Sequence, residues 1–120
     1  MTDKRLLIVD DLPELGEVVG RVASNMGYEV HLTTHATDFK RDYERFDPTT
    51  VVLDIVMPDV DGIELLGWLM ERDCNARILV ASAHSPNYAR MAETLGAAKG
   101  LEVNFIQMPF RVAELRSSLG

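Results

Sequence analysis

A chain of 120 residues supplies one domain and is too short for two independent cores. With 47% hydrophobic and 26% charged residues it has the makeup of a folding globular domain rather than a disordered one. Nineteen acids against twelve bases leave a formal charge of −7, so neither nucleic acid nor an anionic membrane surface is expected as a partner.

Leu6-Leu7-Ile8-Val9 is a continuous apolar run that stops at Asp10-Asp11, as a strand buried on both faces would read. Pro13 suits a first helical turn, and Leu12, Leu15, Val18, Val19, Val22 and Met26 recur at helical spacing up to Gly27, a natural C-terminal cap. Tyr28 to Thr33 alternates, which predicts an edge strand covered on one face. A second helix is expected from about Ala36 to Arg45, with the weakest apolar stripe of the set. Val51-Val52-Leu53 before Asp54 is the next strand, and Asp61-Gly62 turns into a helix carrying Ile63, Leu65, Leu66, Leu69 and Met70. Ile78 to Ala81 before Ser82 makes a fourth strand, Ser85-Pro86 opens a fourth helix running to about Lys99, and Val103 to Met108 makes a fifth strand. Arg111 to Leu119 closes the chain with a fifth helix, short enough for a sequence cut from something longer.

Strict alternation of strand and helix requires right-handed crossovers and gives a parallel sheet with helices on both faces. No internal repeat, linker or low-complexity segment interrupts it, so residues 1–120 are expected to form a single domain. No apolar run approaches the roughly 18 residues of a membrane span, and Lys4-Arg5 leads into a strand rather than a signal-peptide hydrophobic region. A single cysteine, Cys74, excludes an internal disulfide and a cysteine-rich metal site, and it agrees with a reducing, cytoplasmic setting.

Open parallel sheets place their chemistry outside the carboxyl ends of the strands, where the winding reverses. The polar residues that end these strands are Asp10, Asp11, Asp54 and Ser82. Any one acid there is ordinarily a solvated loop residue, but three together are costly. At an effective dielectric near 20, two charges about 5 Å apart repel by roughly 3 kcal/mol. Such crowding calls for a cation, and a set of hard oxygens suits Mg²⁺.

Across essentially its whole length the chain resembles the receiver domain of two-component response regulators, of the chemotaxis-regulator type. The matching residues are Asp10-Asp11, the segment from Asp54 through Met57-Pro58-Asp59 to Asp61-Gly62, Ser82-Ala83, Phe105, and Met108-Pro109-Phe110. The resemblance implies a doubly wound, flavodoxin-like α/β domain with five parallel strands in the order 2-1-3-4-5 and five helices. It implies that Asp54 accepts a phosphoryl group from a histidine kinase or a phosphotransfer protein, as a carboxylate nucleophile. Asp10 and Asp11 would hold Mg²⁺, with Asp54 and the backbone carbonyl of Val56 completing the protein ligands. Ser82 would hydrogen-bond a phosphoryl oxygen, and Phe105 occupies the position of an aromatic switch, although a strand phenylalanine is equally well plain core. Pro58 and Gly62 shape a loop. The output expected is a changed surface around the fourth helix, fifth strand and fifth helix, open to an effector domain or protein or to a homodimer.

One departure stands out. Where the family has a lysine before the proline that follows the fifth strand, this chain has Met108. Gln107 points to the opposite face of a strand, and Lys99 lies too far back to stand in. With a lysine, three carboxylates and Mg²⁺ would sum to neutrality; with Met108 the site is left at −1 before phosphate arrives. The phosphorylated state is therefore expected to lose about 1 to 3 kcal/mol, the worth of one charge-assisted bond. Methionine in a strand is also ordinary packing. Met108 thus supports an alternative from another class: a degenerate receiver acting as a phosphorylation-independent interaction or dimerisation module. The retained acids argue against it.

Weaker signals complete the reading. Val56 and His84 occupy positions where receivers vary and where side chains govern access of hydrolytic water; valine gives water no hydrogen bond, so slow loss of the phosphoryl group is expected. His31, His35 and His84 lack metal-ligand spacing and read as surface residues. Asp10-Asp11-Leu12-Pro13-Glu14 is the electrostatic opposite of a flavin-phosphate loop, and no second acid or base is evident for a phosphohydrolase, so a turnover enzyme is not expected. The small-residue stretch from Leu95 to Val103 is weakly similar to receivers that precede cyclic-dinucleotide phosphodiesterase domains.

Overall fold

In a computed structural model of the chain, the described residues are 4–9, 13–54, 62–72, 76–82, 90, 94, 97, 100, 102–107 and 110–120. They form strands β1 (Arg5–Val9), β2 (Glu29–Thr33), β3 (Thr50–Asp54), β4 (Arg77–Ser82) and β5 (Val103–Gln107). The helices are α1 (Pro13–Asn25), α2 (Ala36–Phe46), α3 (Gly62–Glu71) and α4 (Val112–Leu119). The expected helix over residues 85 to 99 lies mostly outside the described residues; the described positions within it, Arg90, Thr94 and Ala97, are helical.

All neighbouring strands pair in parallel, in the order β2-β1-β3-β4-β5. The central strands read as unbroken apolar runs because each face meets a different layer. Leu7, Val9, Val51, Leu53, Ile78 and Val80 face a core shared with Phe39 of α2 and Leu65 and Leu69 of α3. Leu6, Ile8, Val52, Leu79, Ala81 and Ile106 face the other core, with Val19, Val22 and Ala23 of α1 and Leu115 and Leu119 of α4. This is the doubly wound architecture, and the alternating strand β2 is at one edge as its pattern requires.

Local signals set the helix ends. Pro13 begins α1, and Gly27 after it takes φ 93°, a left-handed conformation that glycine adopts without steric cost. Gly16 lets α1 approach β2 closely: a Cβ there would lie 2.6 Å from Leu32 Cδ1. Asp47 caps α2 at φ 52°, its N–H donating to the Tyr43 carbonyl. One sequence expectation needs correcting. Val18, counted on the buried stripe of α1, is 44% exposed, because Val19, Val22 and Ala23 already fill the contact with the sheet.

A polar lock joins distant segments at the amino ends of the strands. The Tyr28 hydroxyl donates to the Leu119 carbonyl at 2.7 Å, and Arg77 Nη2 donates to the same carbonyl at 2.8 Å and to the Tyr28 hydroxyl at 3.1 Å. Arg77 Nη1 reaches the Gly120 carbonyl at 3.1 Å. The last carbonyls of α4, which have no partner within a helix, are satisfied here. Tyr28→Phe keeps the ring and the Arg77 bond to Leu119, so it should cost about 1 kcal/mol in urea unfolding. A loss no greater than that of an exposed surface substitution would show that Arg77 alone holds α4.

Strand β2 is tied to α2 through Asp42, whose carboxylate accepts from Thr33 Oγ1 at 2.8 Å and lies 3.2 Å from His31 Nε2 and 3.5 Å from Arg41 Nε. Burial by itself would raise the carboxyl; the bonds from Thr33 and His31 and the nearby positive charges outweigh it and hold the pKa below the ordinary 3.8. A depressed folded pKa gives stability that is present above 3.8 and is lost as pH falls through the lower folded value. Asp42→Asn should therefore be less stable than the parent at neutral pH. The gap should narrow in acid, measured as the difference in unfolding midpoint between the two chains.

Candidate functional site

The parallel sheet brings the ends of β3 and β4, and with them Asp54 and Ser82, to one edge. Val9 ends β1 between Thr33 of β2 and Leu53 of β3, which is where the winding direction reverses. Asp54 ends β3 in register with Ala81, and Ser82, the next residue of β4, is in register with Gln107 of β5. Strand spacing and rise put the Asp54 and Ser82 backbones roughly 6 Å apart at the carboxyl edge. Their side chains lie outside the description, as do Asp10, Asp11, Val56 and Met108 entirely.

Phe105 is paired with Val80 across β4 and β5, partly buried, and packed against the core shared with α2 and α3. Its position thus fits core packing and leaves its ring partly accessible. Among the described residues no three His, Cys, Asp or Glu side chains gather in a metal-sized cluster. The donor set read from the sequence, three carboxylates and a carbonyl, has the hard-oxygen chemistry of a Mg²⁺ site. His31 and His35 are exposed, as expected, and Cys74, His84 and Lys99 lie outside the described residues.

Two features escaped the sequence reading. The aromatic stripe of α2 packs on α3: Phe39 and Tyr43 lie 5.7 and 5.5 Å from the Trp68 ring, both edge-on. Phe39, Tyr43 and Phe46 do recur at helical spacing, a signal that was available. The Arg77 lock joins residues 42 to 49 positions apart in sequence, and no local pattern announces it.

An open doubly wound sheet with an acid and a hydroxyl at its carboxyl edge defines the class. The family model for the response regulator receiver domain matches residues 6–119, and the chain belongs to that family, the receiver module of two-component signalling. It is 32% identical over 117 residues to the chemotaxis protein CheY of Thermotoga maritima, covering 97% of this chain and 94% of that protein. It is 30% identical to the transcriptional regulatory protein TrcR of Mycobacterium tuberculosis, covering 96% of this chain but 43% of that protein. Among solved structures it is similar in fold to the response regulator TrrA of Thermotoga maritima in complex with Mg(2+)-BeF. There the TM-score is 0.81 at 23% identity, covering 97% of this chain and 96% of that one. No helix among the described residues is long and apolar enough to cross a membrane.

Proposed function

We propose that this chain is a cytoplasmic receiver domain spanning residues 1–120, which takes a phosphoryl group on Asp54 from a histidine kinase or phosphotransfer protein. The observation that carries the reading is the place of Asp54, at the end of β3 beside the winding reversal and one register step from Ser82. A carboxylate oxygen of Asp54 attacks phosphorus in line; the new O–P bond forms as the bond from phosphorus to the donor nitrogen breaks, and the electron pair leaves with that nitrogen. Asp10, Asp11, Asp54 and the Val56 carbonyl would hold Mg²⁺, which when bound offsets the repulsion between carboxylate and phosphoryl donor. The Ser82 hydroxyl donates to a phosphoryl oxygen after transfer, and Phe105 follows it inward. The product is a switched state rather than a released compound: the chain signals to an effector, or to a second copy, through the surface around the helix expected over residues 85 to 99, β5 and α4.

Met108 supports a second reading, in which the domain works as a phosphorylation-independent interaction module. One experiment separates them. Exposure to a small phosphodonor with Mg²⁺ should add one phosphoryl group to the intact mass; omission of Mg²⁺ or Asp54→Asn should abolish the gain. Phosphoryl addition that persists in Asp54→Asn would remove Asp54 from its role, and none under any condition would favour the second reading.

A further inference from the structure

We propose that a second site, at the opposite edge of the sheet from Asp54, binds a small phosphate-bearing anion between Arg5 and Arg72. A cavity of about 450 Å³ opens there, walled by Arg5, Tyr43, Asp47, Thr49 and Arg72 and closed by Pro48 and Ala76. Arg5 opens β1, Thr49 precedes β3 and Ala76 precedes β4, so the cavity lies at the amino ends of strands whose carboxyl ends carry Asp54 and Ser82. A five-residue strand separates the two edges by about 16 Å.

Both arginines of the wall are anchored by neighbouring groups. The Arg5 backbone is fastened to Thr49: its N–H donates to Thr49 Oγ1 at 2.9 Å, and its carbonyl accepts from the Thr49 N–H at 2.8 Å. Arg5 Nε donates to the Asp47 carbonyl at 2.7 Å, and Asp47 holds a left-handed φ of 52°. Arg72 stacks 4.0 Å above the Trp68 ring, which fixes its plane.

Both cations are engaged by acids that water can replace. Arg5 Nη2 lies 3.5 Å from Asp47, whose side chain is 90% exposed, and Arg72 Nη1 lies 2.8 Å from Glu44, which is 56% exposed. Exposed pairs of this kind hold weakly. A tetrahedral oxyanion accepts from two guanidinium forks at once and draws both away from those acids. A neutral or apolar ligand would find few partners on such a wall.

The test uses pyrophosphate as probe, with chelator and no divalent cation, at low ionic strength, on the whole chain. Calorimetry should give one saturable site, and the emission of Trp68, the chain's single tryptophan, should move with it. Arg5→Gln and Arg72→Gln should each weaken binding about tenfold or more. Lys40→Gln removes the cation 5.8 Å over the same ring but outside the cavity, and it should leave affinity unchanged. Asp54→Asn should also leave it unchanged. No saturable heat, full affinity in either arginine variant, or loss of binding in Asp54→Asn would each overturn the site. Should Arg5→Gln fold poorly by circular dichroism, Arg72→Gln, at the exposed end of α3, decides the matter alone.

Discussion

Met108→Lys should raise the fraction of the chain that carries a phosphoryl group, or lengthen its lifetime, under identical phosphodonor and Mg²⁺. On the proposed reading, the lysine would supply the positive charge and donors that three carboxylates and a bound Mg²⁺, summing to −1, otherwise lack. One charge-assisted bond at a partly desolvated phosphoryl oxygen is worth about 1 to 3 kcal/mol, so the equilibrium should shift by about one to two orders of magnitude. Intact-mass measurement against time gives both occupancy and decay. The double variant Met108→Lys with Asp54→Asn should gain nothing, which ties the effect to the aspartate. Occupancy and decay equal to the parent would show that Met108 is packing alone and that the missing ammonium does not limit the site.

Phe39→Ala should be the most damaging single truncation in the core shared by α2 and α3. The ring is fully buried in the core cluster that includes Leu7, Val9 and Leu53 of the sheet, and it is edge-on to Trp68. Truncating a buried phenylalanine costs about 3 to 5 kcal/mol, of which part is the cavity left between rigid neighbours. Domains of this size are stable by only about 5 to 15 kcal/mol, so much of the total would go. Urea unfolding should show a lower midpoint with an unchanged slope. Phe39→Leu, which retains most of the volume, should lose clearly less. A loss below about 1 kcal/mol for the alanine variant would mean that α2 can settle into the gap and that the aromatic contact is not what positions it.

The strands were legible because burial on both faces leaves a plain trace. Leu6 to Val9 and Val51 to Leu53 contain no polar residue, and β2 alternates because it is an edge. Helix ends were legible where backbone geometry is demanding, as at Pro13 and Gly27. Val18 misled because periodicity marks an arc of the helix and does not say where the neighbouring surface ends. The stripe of α2 was undervalued because its contacts are aromatic and interspersed with Lys40, Arg41 and Arg45, whose charged ends stay outside. At the site, Asp54 and Ser82 were legible as polar residues that stop apolar runs, which the strand ends reproduce. Arg5 and Arg72 were not legible as a pair. They are far apart in sequence, and only the folded chain makes them walls of one space.

Tyr28 has a practical consequence for handling the molecule. Its ring lies under Lys4 Nζ at 5.3 Å while its hydroxyl meets Leu119, so both extremities of the described chain converge on one side chain. Affinity tags, dyes or surface tethers attached beyond either extremity would emerge from the same rim, the far one from Asp54. On the proposed reading, an attachment at either end leaves the Asp54 edge open to a donor protein.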